Sequence, residues 1–344
     1  MKGIKLPPGP PKLPLIGNFH LLGNLRHRSL ENLSKKYDST MLLQLGSAPT
    51  VIVSSAKTAQ QVLKIHDLYC CTRPASLRPN RFSYNGLDVL FSLYNDHWKE
   101  MRKVFIFELL SMKRVQSFAY TREAEVDKLI TSLSQALPEL VNLNEKMFAL
   151  ADGIIGTTAF GKIYGTDQFK DQVFHNVLGE AMNMLFDGYL QMVLDQHLDH
   201  ARPKPEQQDF VDFLIRLMKD ESNSFTVSEN CVKAMLFDAF IGGIVTTSTT
   251  ILWAMLELIK NPRVMNKTFR LHPPVPILPL REAMREFKVG EFDILPKTRI
   301  LVNVWATGRD PNDTNIEFSL ANILYWFDWE VPNDMKGEDI SMEE

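Results

Sequence analysis

Two histidines and two aspartates fall within one six-residue segment and could hold a metal ion, namely Asp195, His197, Asp199 and His200. His197 and His200 are three positions apart, so on a helix they share a face. Imidazole and carboxylate groups are common zinc ligands. The other interpretation is a solvated, charged helix face, which needs no metal. The sequence favours this second interpretation, and we predict no metal site.

The three cysteines could supply thiol chemistry, but their number and spacing restrict it. Cys70 and Cys71 are adjacent, and Cys231 is remote in sequence from both. Neighbouring cysteines rarely bridge without strain, and a structural zinc site would need paired Cys-x-x-Cys spacing. Reduced, buried thiols in a reducing compartment are therefore expected.

Composition points to a globular protein that does not bind nucleic acid. The 344 residues include 38 Lys and Arg against 41 Asp and Glu, and 45% are apolar. This apolar share excludes intrinsic disorder, and the near-balance of charge argues against nucleic acid as a main partner. The first 28 residues form a proline-rich arm without the apolar core of a signal peptide. We predict this arm over residues 1–28 and a domain over residues 29–344.

Apolar periodicity predicts a helical body with a small β portion. The predicted helices are Ser29–Tyr37, Ser55–His66, Asp96–Phe107, Arg114–Ala136 and Gln208–Asp220. The predicted strands are a hairpin of Met41–Leu45 with Thr50–Val53, and the segments Phe287–Asp293 and Arg299–Val304; Ser319–Glu330 is a helix or a strand.

One long uncharged segment, Ala239–Leu256, dominates the middle of the chain. Its 18 residues just reach the length of a membrane span. The glycine pair and the five consecutive hydroxyl residues inside it are poorly suited to lipid. A helix that is apolar all round is otherwise the central helix of a large domain. The sequence favours a buried central helix.

Several motifs, in order along nearly the whole chain, resemble plant microsomal cytochrome P-450 proteins, the haem-thiolate monooxygenases. They are LPPGPPKLPLIGN at 6–18, HWKEMR at 97–102, GGIVTT at 242–247, RLHPPVP at 270–276 and RILVNVWATGRDP at 299–311. The resemblance implies that family's fold, mainly α with a small β portion, and its haem cofactor. It also implies a small apolar organic substrate of secondary metabolism, a monomer, an NADPH-dependent reductase as electron donor, and the endoplasmic reticulum membrane. With no anchor in the sequence, a cytosolic or peripheral location stays open.

The resemblance also implies roles for four residues. Trp98 and Arg102, four apart on one helix face, match positions that hold a haem propionate, and Arg281 matches a second such position. Thr246 matches the catalytic threonine on the oxygen side of the haem. The family often has an acid before this threonine, where this sequence has Val245.

Departures from the family pattern concern the haem ligand above all. Gly308–Pro311 should be followed by a glycine-rich loop with the ligand Cys, but no Cys follows Cys231. The family's Glu-x-x-Arg reads Lys267 to Arg270, and Asn261–Asn266 joins directly onto it where the family has further helical sequence. Further sequence is missing near Leu185–Tyr189. The fold is thus predicted to be incomplete.

These departures predict a cytochrome P-450-like protein that does not bind haem through a thiolate and is catalytically defective. Cys231, His97 and His272 match positions away from the family's ligand loop and are not expected to replace the missing ligand. Two alternatives stay open. One is an active haem-dependent monooxygenase of which this is a truncated sequence, and the other is a non-enzymatic module that binds apolar ligands or a partner.

Overall fold

The computed structural model describes residues 3–75, 83–136, 140–161, 182–199, 201–202, 208–220, 225–260 and 271–309. The chain divides into two compact units. Unit 1 comprises residues 1–74 and 250–344, and unit 2 comprises residues 75–249. The predicted boundary at residue 28 stays a prediction.

The helices are α1 (Arg26–Lys36), α2 (Ala56–Gln60), α3 (Asp67–Cys70), α4 (Asp96–Glu108), α5 (Met112–Ser117), α6 (Ala119–Ala136), α7 (Leu143–Phe160), α8 (Met182–Leu198), α9 (Phe210–Lys219), α10 (Glu229–Lys260) and α11 (Val304–Thr307). The strands are β1 (Thr40–Leu45), β2 (Ala48–Val53), β3 (Arg281–Glu282), β4 (Phe287–Val289), β5 (Phe292–Ile294) and β6 (Arg299–Val302). The mainly helical class with a small β portion is confirmed.

Unit 1 contains a four-stranded sheet in the order β1-β2-β6-β3. The predicted hairpin is confirmed, since β1 and β2 pair antiparallel from Thr40 opposite Val53 to Leu45 opposite Ala48. Strand β6 adds to β2 in parallel. Alternate side chains of β2 and β6, among them Val51, Val53 and Val302, enter one buried cluster, as the two-residue period of a strand requires.

The proline-rich arm runs along β1. The Leu42 backbone N–H donates to the Pro8 carbonyl at 2.8 Å, and the Gln44 N–H donates to the Asn18 side chain at 2.7 Å. At Gly9 a Cβ atom would lie 2.0 Å from the Leu42 carbonyl oxygen, so only glycine allows this approach. The arm is therefore held to the sheet by backbone hydrogen bonds.

Two predicted elements are wrong in detail. The segment Phe287–Asp293 is a hairpin of β4 and β5 and not one strand, because Gly290 adopts φ +61° and turns the chain. The predicted helix Arg114–Ala136 is interrupted at Phe118, which leaves helical geometry and is buried to 5% exposure. Ser319–Glu330 lies outside the described residues.

Unit 2 is built around the first half of α10. Residues from Cys231 to Ile244 alternate little between core and surface, and most of them join one large buried cluster with α7, α8 and α9. The 3.6-residue period is weak here because neighbours surround the helix on several sides. Among the described residues, α10 is the one helix long and apolar enough to cross a membrane, and the burial of its first half is typical of a core helix.

The adjacent glycines of α10 have opposite surroundings. A Cβ atom at Gly243 would lie 2.8–3.0 Å from three side-chain atoms of Ile155 on α7, whereas at Gly242 it would meet nothing within 4 Å. Gly243→Ala is expected to destabilise the protein by about 1–3 kcal/mol through overpacking. Gly242→Ala, the matched control, is expected to stabilise it by about 0.5–1 kcal/mol, since alanine favours the helix. Urea unfolding of both variants checks this pair, and equal effects would contradict the close approach of α7 and α10.

Candidate functional site

Thr246, the predicted oxygen-side residue, lies near the middle of α10. Its hydroxyl donates to the Gly242 carbonyl one turn earlier at 2.5 Å, which is the usual bond of a threonine inside a helix. The surface beside it is open, because Gly242 has no neighbour at its Cβ position and Val245 is 42% exposed. This part of α10 therefore offers apolar surface and small side chains to a ligand.

Trp98 and Arg102 share one face of α4, as the sequence predicts. Asn95 caps the helix by accepting the Trp98 backbone N–H at 2.8 Å. The indole Nε1 donates to the Val89 carbonyl at 2.8 Å, and the Arg102 guanidinium lies 5.3 Å from the centre of the indole ring. The cation is thus held over an aromatic face and remains exposed, while the indole N–H is already used.

Arg281 belongs to unit 1, on β3. Its guanidinium forms a salt bridge to the Asp67 carboxylate at 2.5 Å, and its side chain is 17% exposed. Asp67 is the first residue of α3, where a carboxylate is favoured by the helix dipole. The charge of Arg281 is therefore balanced within unit 1 by a protein carboxylate.

Both fully buried cysteines are protonated thiols within apolar cores. Cys70 Sγ contacts the carbonyl oxygens of Val62 and His66 at 3.6 and 3.5 Å, and burial raises the pKa of this thiol to about 11. Burial likewise raises the pKa of the Cys231 thiol to about 12. Cys71 is partly exposed, and burial raises the pKa of its thiol as well.

A haem-thiolate centre needs a deprotonated cysteine sulfur that faces the iron. The sequence has three cysteines and none after Cys231. Cys70 and Cys231 are packed in cores with high pKa values, and Cys71 follows Cys70 directly at the end of α3. The sulfur atoms of both buried cysteines contact protein atoms.

His97 and His272 both contact other protein groups. The His272 ring stacks on Trp253 at 4.2 Å and 9°, and His97 Nε2 lies 3.4 Å from the Leu87 carbonyl oxygen. His200, like the Lys267 and Arg270 pair, lies outside the described residues.

A buried polar network in unit 2 was missed by the sequence analysis, which predicted a solvated face for His197. The His197 side chain is fully buried, with Nδ1 2.7 Å from the Val193 carbonyl oxygen and Nε2 3.1 Å from an Asp209 carboxylate oxygen. Arg202 forms salt bridges to both Asp209 and Asp212. The spacing Asp-x-x-Asp before an apolar run was the available signal, because it marks a helix capping box, and that box starts α9.

The same network brings together three groups of the kind that bind metals. One ligand atom from each of His197, Asp209 and Asp212 lies within 4.8 Å of the others. Arg202 already contacts both carboxylates, so the place of a cation is taken by a guanidinium. We interpret this cluster as structural.

Comparison with known proteins identifies the family. The sequence profile described as "Cytochrome P450" matches residues 7–187, 173–268 and 266–313.

The chain belongs to the cytochrome P450 family.

Two curated plant relatives match almost the whole chain. The chain is 40% identical to 2-methylbutanal oxime monooxygenase of Manihot esculenta, over 99% of this chain and 88% of the relative. It is 38% identical to 4-hydroxyphenylacetaldehyde oxime monooxygenase of Sorghum bicolor, over 99% of this chain and 85% of the relative. Among solved structures, a zebra fish cytochrome P450 determined with progesterone matches with a TM-score of 0.72 at 22% identity, over 84% of this chain and 80% of that chain. This last match shows the P450 fold.

The alignments contain large gaps in this chain. The alignment to the Manihot relative spans 450 positions, whereas the chain has 344 residues, so more than a hundred positions of that relative have no counterpart. The family profile breaks at 173–187 and again at 266–268, and its match ends at 313. These are the regions where the sequence predicted lost segments. P450 proteins are haem-iron monooxygenases that use small organic substrates and a redox partner, and this chain is a shortened relative of them.

Proposed function

We propose that this P450 protein does not form the haem-thiolate centre and lacks the family's monooxygenase activity. The observation that supports the proposal most directly is the place of its cysteines. Cys70 and Cys231 are 0% and 1% exposed within packed side-chain clusters, which a group as large as haem cannot enter, and no cysteine follows Cys231. Without a thiolate, iron would lack the electron donation that favours cleavage of bound dioxygen.

We also propose that the four predicted site residues keep the family's positions in this chain. Trp98, Arg102 and Arg281 would be the propionate-facing residues, and Thr246 the oxygen-side residue. The shared face of Trp98 and Arg102 on α4 supports the first part. The ion pair of Arg281 with Asp67 and the intrahelical bond of Thr246 give both residues structural contacts that need no cofactor.

A second proposal concerns ligand binding without turnover. Two relatives that match almost the whole chain are named for aldehyde oximes, one with a branched aliphatic side chain and one with a phenol ring. The stretch Gly242–Thr246 combines open apolar surface with a hydroxyl group, which suits a small molecule of that kind. The chain would then bind small aldoximes without oxidising them, consistent with a non-enzymatic binding module.

Turnover and binding can be measured on one preparation. The purified chain, supplied with haem, a plant NADPH-dependent reductase and either 2-methylbutanal oxime or 4-hydroxyphenylacetaldehyde oxime, is expected to form no product. The Manihot relative under the same conditions is the positive control. Reproducible, enzyme-dependent product would contradict the loss of activity, and the absence of any saturable change in tryptophan fluorescence with either oxime would contradict binding.

The sequence of the transcript tests the alternative that the gene encodes a longer, active enzyme. If sequencing of the RNA downstream of Asp313 reveals a glycine-rich segment with a cysteine, the active form is that longer product. If the transcript reads as the present sequence does, the inactive form is the gene's product.

For location we propose peripheral contact with the endoplasmic reticulum membrane and no insertion of α10. The first half of α10 is surrounded by protein side chains, so insertion would require unfolding of unit 2. Alkaline carbonate is therefore expected to release the chain from microsomes into the supernatant. Retention in the membrane pellet, in a preparation free of aggregates, would show integral insertion.

A further inference from the structure

Two soft sulfur ligands and an imidazole lie near one another where the start of α10 packs against α4 in unit 2. Cys231 Sγ lies 3.4 Å from Met101 Sδ and 3.9 Å from His97 Nε2. His97 and Met101 are four residues apart and so lie on the same face of α4. Cys231 and Met101 are buried, at 1% and 0% exposure. The Cys231 thiol thus has a thioether and an imidazole as neighbours inside the protein.

The two separations from Cys231 Sγ are close to those of ligands that share one metal ion. Sulfur and nitrogen ligands at about 2.0–2.3 Å from a metal, arranged trigonally or tetrahedrally, lie about 3.5–4 Å from each other. The observed 3.4 and 3.9 Å need only small side-chain adjustments to fit this range. His97 Nε2 is also 3.4 Å from the Leu87 carbonyl oxygen, a contact long enough to be given up at low cost.

The charge of the surroundings selects the kind of cation. The groups that contact Cys231 Sγ are a thioether, an imidazole and a backbone carbonyl, none of which carries a negative charge. Replacement of the thiol proton by a monovalent cation leaves the charge of this buried site unchanged, whereas a divalent ion would add an uncompensated charge. Cys231 is the third residue of α10, where the helix dipole offsets part of the cost of a buried thiolate.

Thiolate and thioether sulfur prefer soft metals, and imidazole accepts copper. We propose that Cys231, Met101 and His97 form a binding site for Cu(I). As the ion binds, the thiol proton passes to solvent and a sulfur–copper bond replaces the sulfur–hydrogen bond, with no change in oxidation state. The site lies within unit 2 and does not depend on the state of the haem.

The other two cysteines provide an internal comparison. Cys70 and Cys71 are in unit 1, and Cys70 Sγ contacts the backbone carbonyls of Val62 and His66. Two adjacent thiols could also take up Cu(I), so a binding experiment has to separate the two locations. The double variant Cys70→Ser/Cys71→Ser does this without changing the proposed site.

The test is an anaerobic titration of the purified, haem-free chain with Cu(I) in competition with a chromophoric Cu(I) chelator. The double variant is expected to bind one Cu(I) as tightly as the same site in the wild type. When Met101→Leu, which nearly conserves volume, is added to the double variant, Cu(I) binding is expected to weaken by more than about 10-fold. Loss of a residue that only supports a metal ligand already costs at least about that much. Added Cys231→Ser is expected to abolish competition with the chelator.

Circular dichroism establishes whether each variant is folded. If Cys231→Ser is not folded, the affinity of the Met101→Leu variant tests the proposal. X-ray absorption of the copper-loaded double variant is a second test and is expected to show sulfur and nitrogen ligands. Two results would overturn the proposal and leave the sulfur contact as ordinary core packing. One is equal Cu(I) affinity of the double variant with and without Met101→Leu, and the other is loss of all Cu(I) binding in the double variant itself.

Discussion

Replacing Asp209 with alanine is expected to lower the free energy of unfolding by about 3–5 kcal/mol, the range for breaking a buried ion pair by removing one partner. The Asp209 side chain is only 4% exposed. Its carboxylate contacts His197 Nε2 at 3.1 Å, Arg202 at 3.2 Å and the Asp212 backbone N–H at 2.9 Å. Removal of this one group leaves the half-buried Arg202 guanidinium with one carboxylate partner and uncaps α9.

Asp195→Ala is the matched control, because the substitution is the same and Asp195 is an exposed residue of α8. Urea unfolding of the two variants, followed by circular dichroism, gives the comparison. A loss within about 0.5 kcal/mol of the control, the usual range for surface substitutions, would mean that the network contributes little to the stability of unit 2.

Asp238→Asn is expected to remove a large pH dependence of stability. Asp238 is buried on α10, and its carboxylate accepts the backbone N–H groups of Val89 and Leu90 at 2.6 and 3.2 Å. Burial, and secondly the nearby Asp88 carboxylate, raises the pKa of Asp238 to about 8. An unfolded chain has an Asp pKa of about 3.9, so the folded state binds the proton more tightly.

The sign of the effect follows from linkage. The contribution of Asp238 is fully present below about pH 4, falls as the pH rises, and is lost once the pH passes about 8, with a total of about 5 kcal/mol. The wild type should therefore lose stability relative to Asp238→Asn between about pH 4 and about pH 8, the range in which the folded state alone keeps the proton. Asp127→Asn, on the exposed face of α6, is the control. Parallel stability curves for the wild type and Asp238→Asn would contradict the raised pKa.

Local patterns in the sequence predicted most of the described elements. The hairpin of β1 and β2, helix α4 with Trp98 and Arg102 on one face, and the long apolar α10 follow from periodicity and turn residues. The periodicity of apolar residues did not predict the break in the helix at Phe118. The position of such a break depends on which neighbouring residues bury the Phe118 side chain. It also missed the turn at Gly290, although a glycine inside a strand pattern is a known signal of such a turn.

The polar interior was harder to predict because its partners are distant in the sequence. His197 lies in a segment with two exposed acids, Asp195 and Asp199, and only the fold brings Asp209 to its ring. Asp238 directly precedes the uncharged segment Ala239–Leu256 in the sequence, and only the fold brings the Val89 N–H group to its carboxylate. The absence of a cysteine after Cys231, in contrast, is a property of the sequence itself.

The most direct test of the loss of the haem-thiolate centre is the spectrum of the reduced protein with carbon monoxide. The purified chain is incubated with haemin, freed of excess haem, reduced and exposed to carbon monoxide, with the Manihot relative treated in parallel. We predict no thiolate-type Soret band for this chain, because its cysteines are buried thiols or neighbours of one and a thiolate is required for that band. A thiolate-type band at one haem per chain would contradict the account.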